Sequence, residues 1–290
     1  MDMLPTEKRK YKFCSYYWIF EPIGGDVIDG PHRQPVFDIP VSYEGKDYNF
    51  SLFCKDSGVI EYARLIIPNL EKEEIPEKIL PFLQILKEHL LSVIRLLLGK
   101  SVQLCTVIWV FLEMNESPRL HINITEELER KSIDVVAIRN LFTSTINCRE
   151  DIRLFVDGID ERIPMQYRFL SLYKIIENEY RTKGKWKRQL NDLLLKHEGL
   201  FAEAGFTSKP SSLLHEVRDR CAHIKTGTKR EVLGVTHLNH KEAVRVNLLL
   251  PILKKICIEI INKKARGQFV FSDIPLTPEQ VNAAKIAISS

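Results

Sequence analysis

From about Asn147 onward the chain changes its hydrophobic period, and that change constrains the fold more than any other feature. Before it, apolar and β-branched residues collect in short runs. After it they recur every three to four residues through most of the remaining chain. A stripe with a period near 3.6 is buried by a helix and not by a strand, so the two regions must build different layers. The stretch NCREDIRLFVDGIDERIP, residues 147–164, joins them; it is charged, contains glycine and closes on Pro164, which places a domain boundary there. The expected fold is an α+β N-terminal domain over residues 1–160, an all-α helical bundle over 161–267, and a tail over 268–290.

In the first region PVFDIPVSYEGKDYNFSLF carries two β-rich runs around Glu44-Gly45-Lys46, a hairpin whose glycine supplies the turn. VQLCTVIWVFL over residues 102–112 reads as a strand, and RLHINI as a shorter one. Between hairpin and strand, residues 79–98 repeat apolar positions at helical spacing and meet Gly99 where a C-cap glycine belongs.

In the second region QYRFLSLYKIIENEYRTK puts Phe169, Leu172, Tyr173, Ile176 and Tyr180 on one stripe, predicting an amphipathic helix. WKRQLNDLLLKHEGLF predicts a second through Leu190, Leu193 and Leu194, ended by Gly199. SSLLHEVRDRCAHIKTG predicts a third, with Ser211 or Ser212 as N-cap and Gly227 just beyond its end. Residues 241–264 make a fourth, interrupted or started at Pro251. The tail offers a short helix capped by Thr277, with Pro278 after it and Gln280 completing a capping box.

Bulk properties narrow the function classes. The 290 residues are 44% hydrophobic, enough for a real core, and the net charge of +4 does not by itself announce nucleic acid. Six cysteines form no close pair, so neither a zinc ligand set nor a redox motif is visible and no cofactor is implied. The N-terminal MDMLPTEKRKYKF has basic residues without a following apolar segment, and no run of eighteen apolar residues occurs. A cytoplasmic protein with no membrane partner is expected.

The third helix of the bundle concentrates the chemistry. Leu213, Leu214, Val217, Cys221 and Ile224 share its core side at about 100° per residue, while Arg218, Asp219 and His223 fall off it. Asp219 and His223 stand four apart, so the carboxylate can hold the imidazole in one tautomer. Arg218 lies about 140° round the helix from His223 and reaches a shared ligand only from the flank. An arginine and a histidine at one phosphate suffice to cleave RNA without metal. Histidine moves protons near neutral pH, and arginine neutralises the charge that builds on phosphate. The same residues also fit a solvated helix face, where a histidine near the C-terminus is favoured by the helix dipole.

Arg218-Asp-Arg-Cys-Ala-His223 resembles the R-x(4–6)-H motif of the HEPN superfamily, helical-bundle domains that include many metal-independent ribonucleases of prokaryotic toxin and antiviral systems. The resemblance covers about residues 162–267. It implies catalytic roles for Arg218 and His223, with Asp219 as the polar residue that commonly follows the arginine. It also implies an acidic counterpart on the first bundle helix, which Glu177 or Glu179 supplies, with Glu177 preferred. A homodimer through the bundle is implied, because two motifs of this family usually share one cleft. A β-containing region before such a bundle resembles the Apea-like branch involved in abortive infection. A second spacing match, Arg230 to His237, sits in a β-branched, glycine-containing stretch that does not read as a helix.

RTKGKWKRQ supplies an RNA-binding surface in Lys183, Lys185, Trp186, Lys187 and Arg188, mixing charge with an aromatic ring, and Lys225 adds charge beside the motif. A solvated helix connection is the plain alternative for that run. His215, one turn before Asp219, reads as a surface or supporting residue. Two other functions stay open: a non-catalytic bundle that mediates oligomerisation, RNA binding or partner binding, and an enzyme site in the α+β domain. The latter lacks a nucleophile elbow, phosphate loop or metal set, and Gly24-Gly25 alone is a turn. The N-terminal domain is expected to sense a trigger ligand, or to receive an antitoxin that restrains the nuclease.

Overall fold

The structure, a computed structural model, describes residues 10–18, 35–54, 60–70, 75–98, 107–116, 135–181, 186–222, 225–226, 232–233 and 240–265. It divides into two compact units between Thr143 and Ser144.

The first unit is built on an antiparallel sheet of β1 (Tyr11–Trp18), β2 (Phe37–Tyr43), β3 (Lys46–Cys54), β4 (Ile60–Leu70) and β5 (Val107–Glu113), ordered β2-β3-β4-β1-β5. The expected hairpin is β2–β3, with Tyr43 opposite Lys46. Glu44 and Gly45 alone form the turn, both in the left-handed region at φ 48° and 73°, as a two-residue type I′ connection requires. The sequence did not predict β1 or β4. Residues 13–17 of β1 are all buried, so the strand shows no polar alternation to read. Its Tyr17 hydroxyl donates to the Leu83 carbonyl of α1 (Ile75–Leu98) at 3.3 Å, while Tyr16 and Cys14 pack on the opposite face with Phe53 and Tyr62. The expected helix is α1, which starts earlier than residue 79 and carries Pro81 inside it. The strand expected at 119–124, the start of the one expected at 102, Gly99 and the tail over 268–290 lie outside the described residues.

The chain crosses between units within α2 (Val135–Thr145), and a 3-10 turn (Ile146–Cys148) follows. The helical unit then runs through α3 (Arg149–Ile159), α4 (Met165–Arg181), α5 (Trp186–Lys196), α6 (Glu198–Glu203), α7 (Pro210–Ala222) and α8 (His240–Lys264). The boundary expected near residue 160 is therefore placed too late. Ile152, Phe155 and Val156 form a helical stripe inside the charged stretch, and α3 packs that stripe onto α4 and α8. Gly158 lets the two helices close: a Cβ there would stand 2.5 Å from the Leu172 side chain of α4.

All five stripe residues expected on α4 are buried, and the helix packs on α3, α5, α7 and α8. Gly199 does not end the second predicted helix. The chain turns at His197, whose amide bonds to the Leu194 carbonyl, and Gly199 sits inside α6. The stop falls at Gly205 (φ 87°), where Phe206 N–H donates to Phe201 and Gly205 N–H to Ala202, the paired bonds of a Schellman cap. Neither serine caps α7. Pro210 opens the helix, and the Lys209 carbonyl accepts from Ser212 and Leu213, so proline takes the first position, where its missing N–H costs nothing. Helix α8 runs unbroken through Pro251. The carbonyl that proline cannot bond belongs to Asn247, an exposed residue.

Candidate functional site

Helix α7 buries Leu213, Leu214 and Val217 and leaves Cys221 half-buried, as its apolar side predicts. Burial pushes the Cys221 thiol up to about 12, so it is a neutral packing group and not a nucleophile. The opposite side presents Arg218, Asp219 and Arg220, each half-buried, with His215 and Glu216 exposed. His223 and Ile224 follow the last described turn of α7 and lie outside the described residues.

Arg218 Nη1 donates to Asp219 Oδ1 at 2.9 Å. The sequence also lets Asp219 hold His223, and that pairing lies outside the described residues. Adjacent residues leave a helix about 100° apart, so only a side chain as long as arginine folds back to make the Arg218–Asp219 pair. Tyr173 of α4 stands beside it. Burial raises the phenol's pKa, the Glu177 carboxylate raises it further, the Arg218 guanidinium opposes them, and Asp219 adds to the rise. A neutral phenol, a guanidinium and two carboxylates thus share one neighbourhood between α4 and α7. The Phe169 ring stacks on Tyr173 with centroids 6.1 Å apart and fixes its plane. Sequence reasoning placed Tyr173 only in the core. Its spacing of four from Glu177 is the signal that could have marked it as a candidate as well.

The two acidic candidates on α4 separate cleanly. Glu177 holds Lys174 at 2.8 Å on the Tyr173 side. Glu179, about 200° further round, is 7% exposed and accepts from Lys264 at 3.1 Å, which also donates to Asp151 at 2.8 Å. Glu179 therefore belongs to the junction of α3, α4 and α8. A cavity of about 360 Å³ opens on that same side, lined by Glu179, Tyr180, Leu193, Glu259 and Ile260. It does not include Arg218.

A second charged group ties α7 to α8. Arg220 donates to Glu242 and, at 2.7 Å, to Glu216; Arg245 donates to Glu242 at 3.1 Å and to Glu216 at 3.3 Å. The hydrogen bond from Arg245 holds the Glu216 carboxyl below its usual range, with Arg220 adding to the effect against the cost of burial. Glu242 and Arg245 were not singled out in the sequence, although Glu216–Arg220 and Glu242–Arg245 have the spacings of intrahelical ion pairs.

Of the basic residues expected to meet RNA, Arg188 is exposed, Trp186 and Lys187 form the first turn of α5, and Lys225 lies in β6 (Lys225–Thr226). Lys183 and Lys185 lie outside the described residues. β6 pairs antiparallel with β7 (Val232–Leu233), so the second spacing match runs into a strand and not along a helix. Among the described residues no group of three metal-ligating side chains forms, and no helix is long and apolar enough to cross a membrane.

Residues 152–262, which run from within α3 to within α8, are similar to the family described as Methylamine utilization protein MauJ. No curated protein and no solved structure matches the chain.

Proposed function

We propose that the helical unit is a metal-independent endoribonuclease of HEPN type. The observation that supports this most is the gathering of Arg218, Asp219, Tyr173 and Glu177 on adjoining turns of α7 and α4, with His223 next in the chain. In this reading His223 takes the proton of a ribose 2′-hydroxyl and the 2′-oxygen attacks the neighbouring phosphorus. The 5′-oxygen leaves and is protonated, which yields a 2′,3′-cyclic phosphate and a 5′-hydroxyl. Arg218 stabilises the charge on the non-bridging oxygens. Glu177 and Asp219 orient the guanidinium, and Tyr173 stays a neutral donor beside it. Lys183, Lys185, Trp186, Lys187, Arg188 and Lys225 hold the strand. The chain acts as a homodimer through its bundle in the cytoplasm. Its setting is a toxin or antiviral (abortive infection) system, with the first unit receiving a trigger or an antitoxin.

A second reading, a non-catalytic bundle that binds RNA or a partner, is favoured by one observation. Asp219 already partly neutralises the guanidinium that catalysis would need. Incubating wild type, Arg218→Ala and His223→Ala with mixed cellular RNA in EDTA separates the two. The nuclease cuts only as wild type; a binding module cuts in none of the three.

A further inference from the structure

Helices α4, α5 and α8 border the cavity of about 360 Å³ beside Glu179, a volume within the range of small-molecule sites. Two carboxylates meet it in the same way. Glu179 of α4 accepts at Oε2 from Lys264 at 3.1 Å, while Lys263 Nζ stands 3.6 Å from its Oε1. Glu259 of α8 accepts at Oε2 from His197 Nε2 at 3.0 Å, while Lys196 Nζ stands 3.8 Å from its Oε1. Each carboxylate thus combines a hydrogen-bonded partner with an ammonium too distant for a hydrogen bond. Lys263 and Lys196 both line the cavity with side chains 68% exposed, so either can swing into water at little cost.

What these two lysines offer the carboxylates is a pair of primary ammonium groups on alkyl stems. The rest of the lining suits the same chemistry. Leu193 and Ile260 are buried and give an apolar wall. Burial raises the pKa of the Tyr180 phenol, and the Glu179 and Glu259 carboxylates raise it further against Lys264, so the phenol stays neutral near both acids and its oxygen can accept from an ammonium. Tyr180 and Lys263 lie in the last turns of α4 and α8, whose C-terminal carbonyls add negative potential.

We propose that this cavity binds an aliphatic diamine, with one ammonium on Glu179, the other on Glu259 and the alkyl chain against Leu193 and Ile260. The ligand takes the places of Lys263 and Lys196, and each released side chain regains rotamer freedom, which offsets the ordering of the ligand. A monoamine satisfies one carboxylate only. Arg218, Asp219, Tyr173 and Glu177 do not line the cavity, so the binding holds whether or not the chain cleaves RNA.

Calorimetric titration of the full chain, freed of nucleic acid, tests this with 1,4-diaminobutane and with 1-aminobutane. The diamine is expected to bind about tenfold more tightly, the factor that one further charge-assisted contact supplies. Glu259→Gln alters a half-exposed side chain and leaves the Glu179 cluster intact, so it is expected to fold and to bring the two amines within about twofold of each other. Lys263→Met removes the competing ammonium and is expected to tighten diamine binding about fivefold. Three results would overturn the proposal: no saturable diamine binding in wild type and Lys263→Met, a diamine advantage that survives in Glu259→Gln, or weaker diamine binding in Lys263→Met than in wild type.

Discussion

Arg218 and Asp219 are neighbours in the chain and partners in space, with 2.9 Å between guanidinium nitrogen and carboxylate oxygen. Their side chains are 35% and 40% exposed, so the pair contributes little to stability, at most about 1 kcal/mol. In the proposed ribonuclease its value lies in aiming a guanidinium. Asp219→Ala is expected to leave the thermal midpoint within a few degrees and to slow RNA cleavage about tenfold. Unchanged cleavage would remove Asp219 from the site.

Glu177 and Glu179 should answer mutation in opposite ways. Glu179 is buried and bonded to Lys264 and Lys263, so Glu179→Gln is expected to cost about 2 kcal/mol in urea unfolding without first lowering activity at permissive temperature. Glu177 is partly exposed in its pair with Lys174, so Glu177→Gln is expected to change stability by less than about 1 kcal/mol and to lower cleavage. The reverse pattern would move the acidic site residue to Glu179.

Gly158 is a packing requirement of the α3–α4 contact. Gly158→Ala drives a methyl into Leu172 and is expected to destabilise the helical unit by about 2 kcal/mol, read from the urea midpoint at constant m-value. A neutral result would mean that Leu172 has room to move.

The cysteines of the bundle give a pH prediction. Burial raises Cys148 to about 11 and Cys221 to about 12 from a usual value of 9.0, and burial raises Cys257 too. Below pH 9 folded and unfolded thiols are both neutral. Above it the unfolded thiols ionise first, so the unfolded chain binds fewer protons and stability falls as pH rises from about 9 toward the folded values. Iodoacetamide at pH 8, followed by mass spectrometry, is expected to label Cys221 at least about 100-fold more slowly in the native than in the unfolded protein. Equal labelling would contradict its burial.

The legible parts of the fold were those where one face of an element meets water. The α4 stripe, the apolar side of α7 and the hairpin at Glu44-Gly45 each announce themselves through a polar face or a turn residue. Strand β1 did not, because a strand buried on both faces carries no alternation, and α3 was hidden because its three buried apolar side chains sit among six charges between Arg149 and Asp160. The site follows the same division. Arg218 and Asp219 were visible as the polar side of α7. Tyr173 reads from its stripe as a core residue alone, although Glu177, Arg218 and Asp219 act on its phenol, and the bond from Arg220 to Glu242 spans a chain separation that no local spacing can bridge.

The most direct test of the account is the fate of a single 2′-hydroxyl. An RNA oligonucleotide cut by wild type in EDTA is resynthesised with 2′-deoxyribose only at the nucleotide 5′ of the cleaved bond. The account requires that cleavage at that bond disappear, and that the all-ribose oligonucleotide end in a 2′,3′-cyclic phosphate. Cutting of the deoxy-substituted bond at the original rate would contradict it, because the nucleophile would then come from elsewhere.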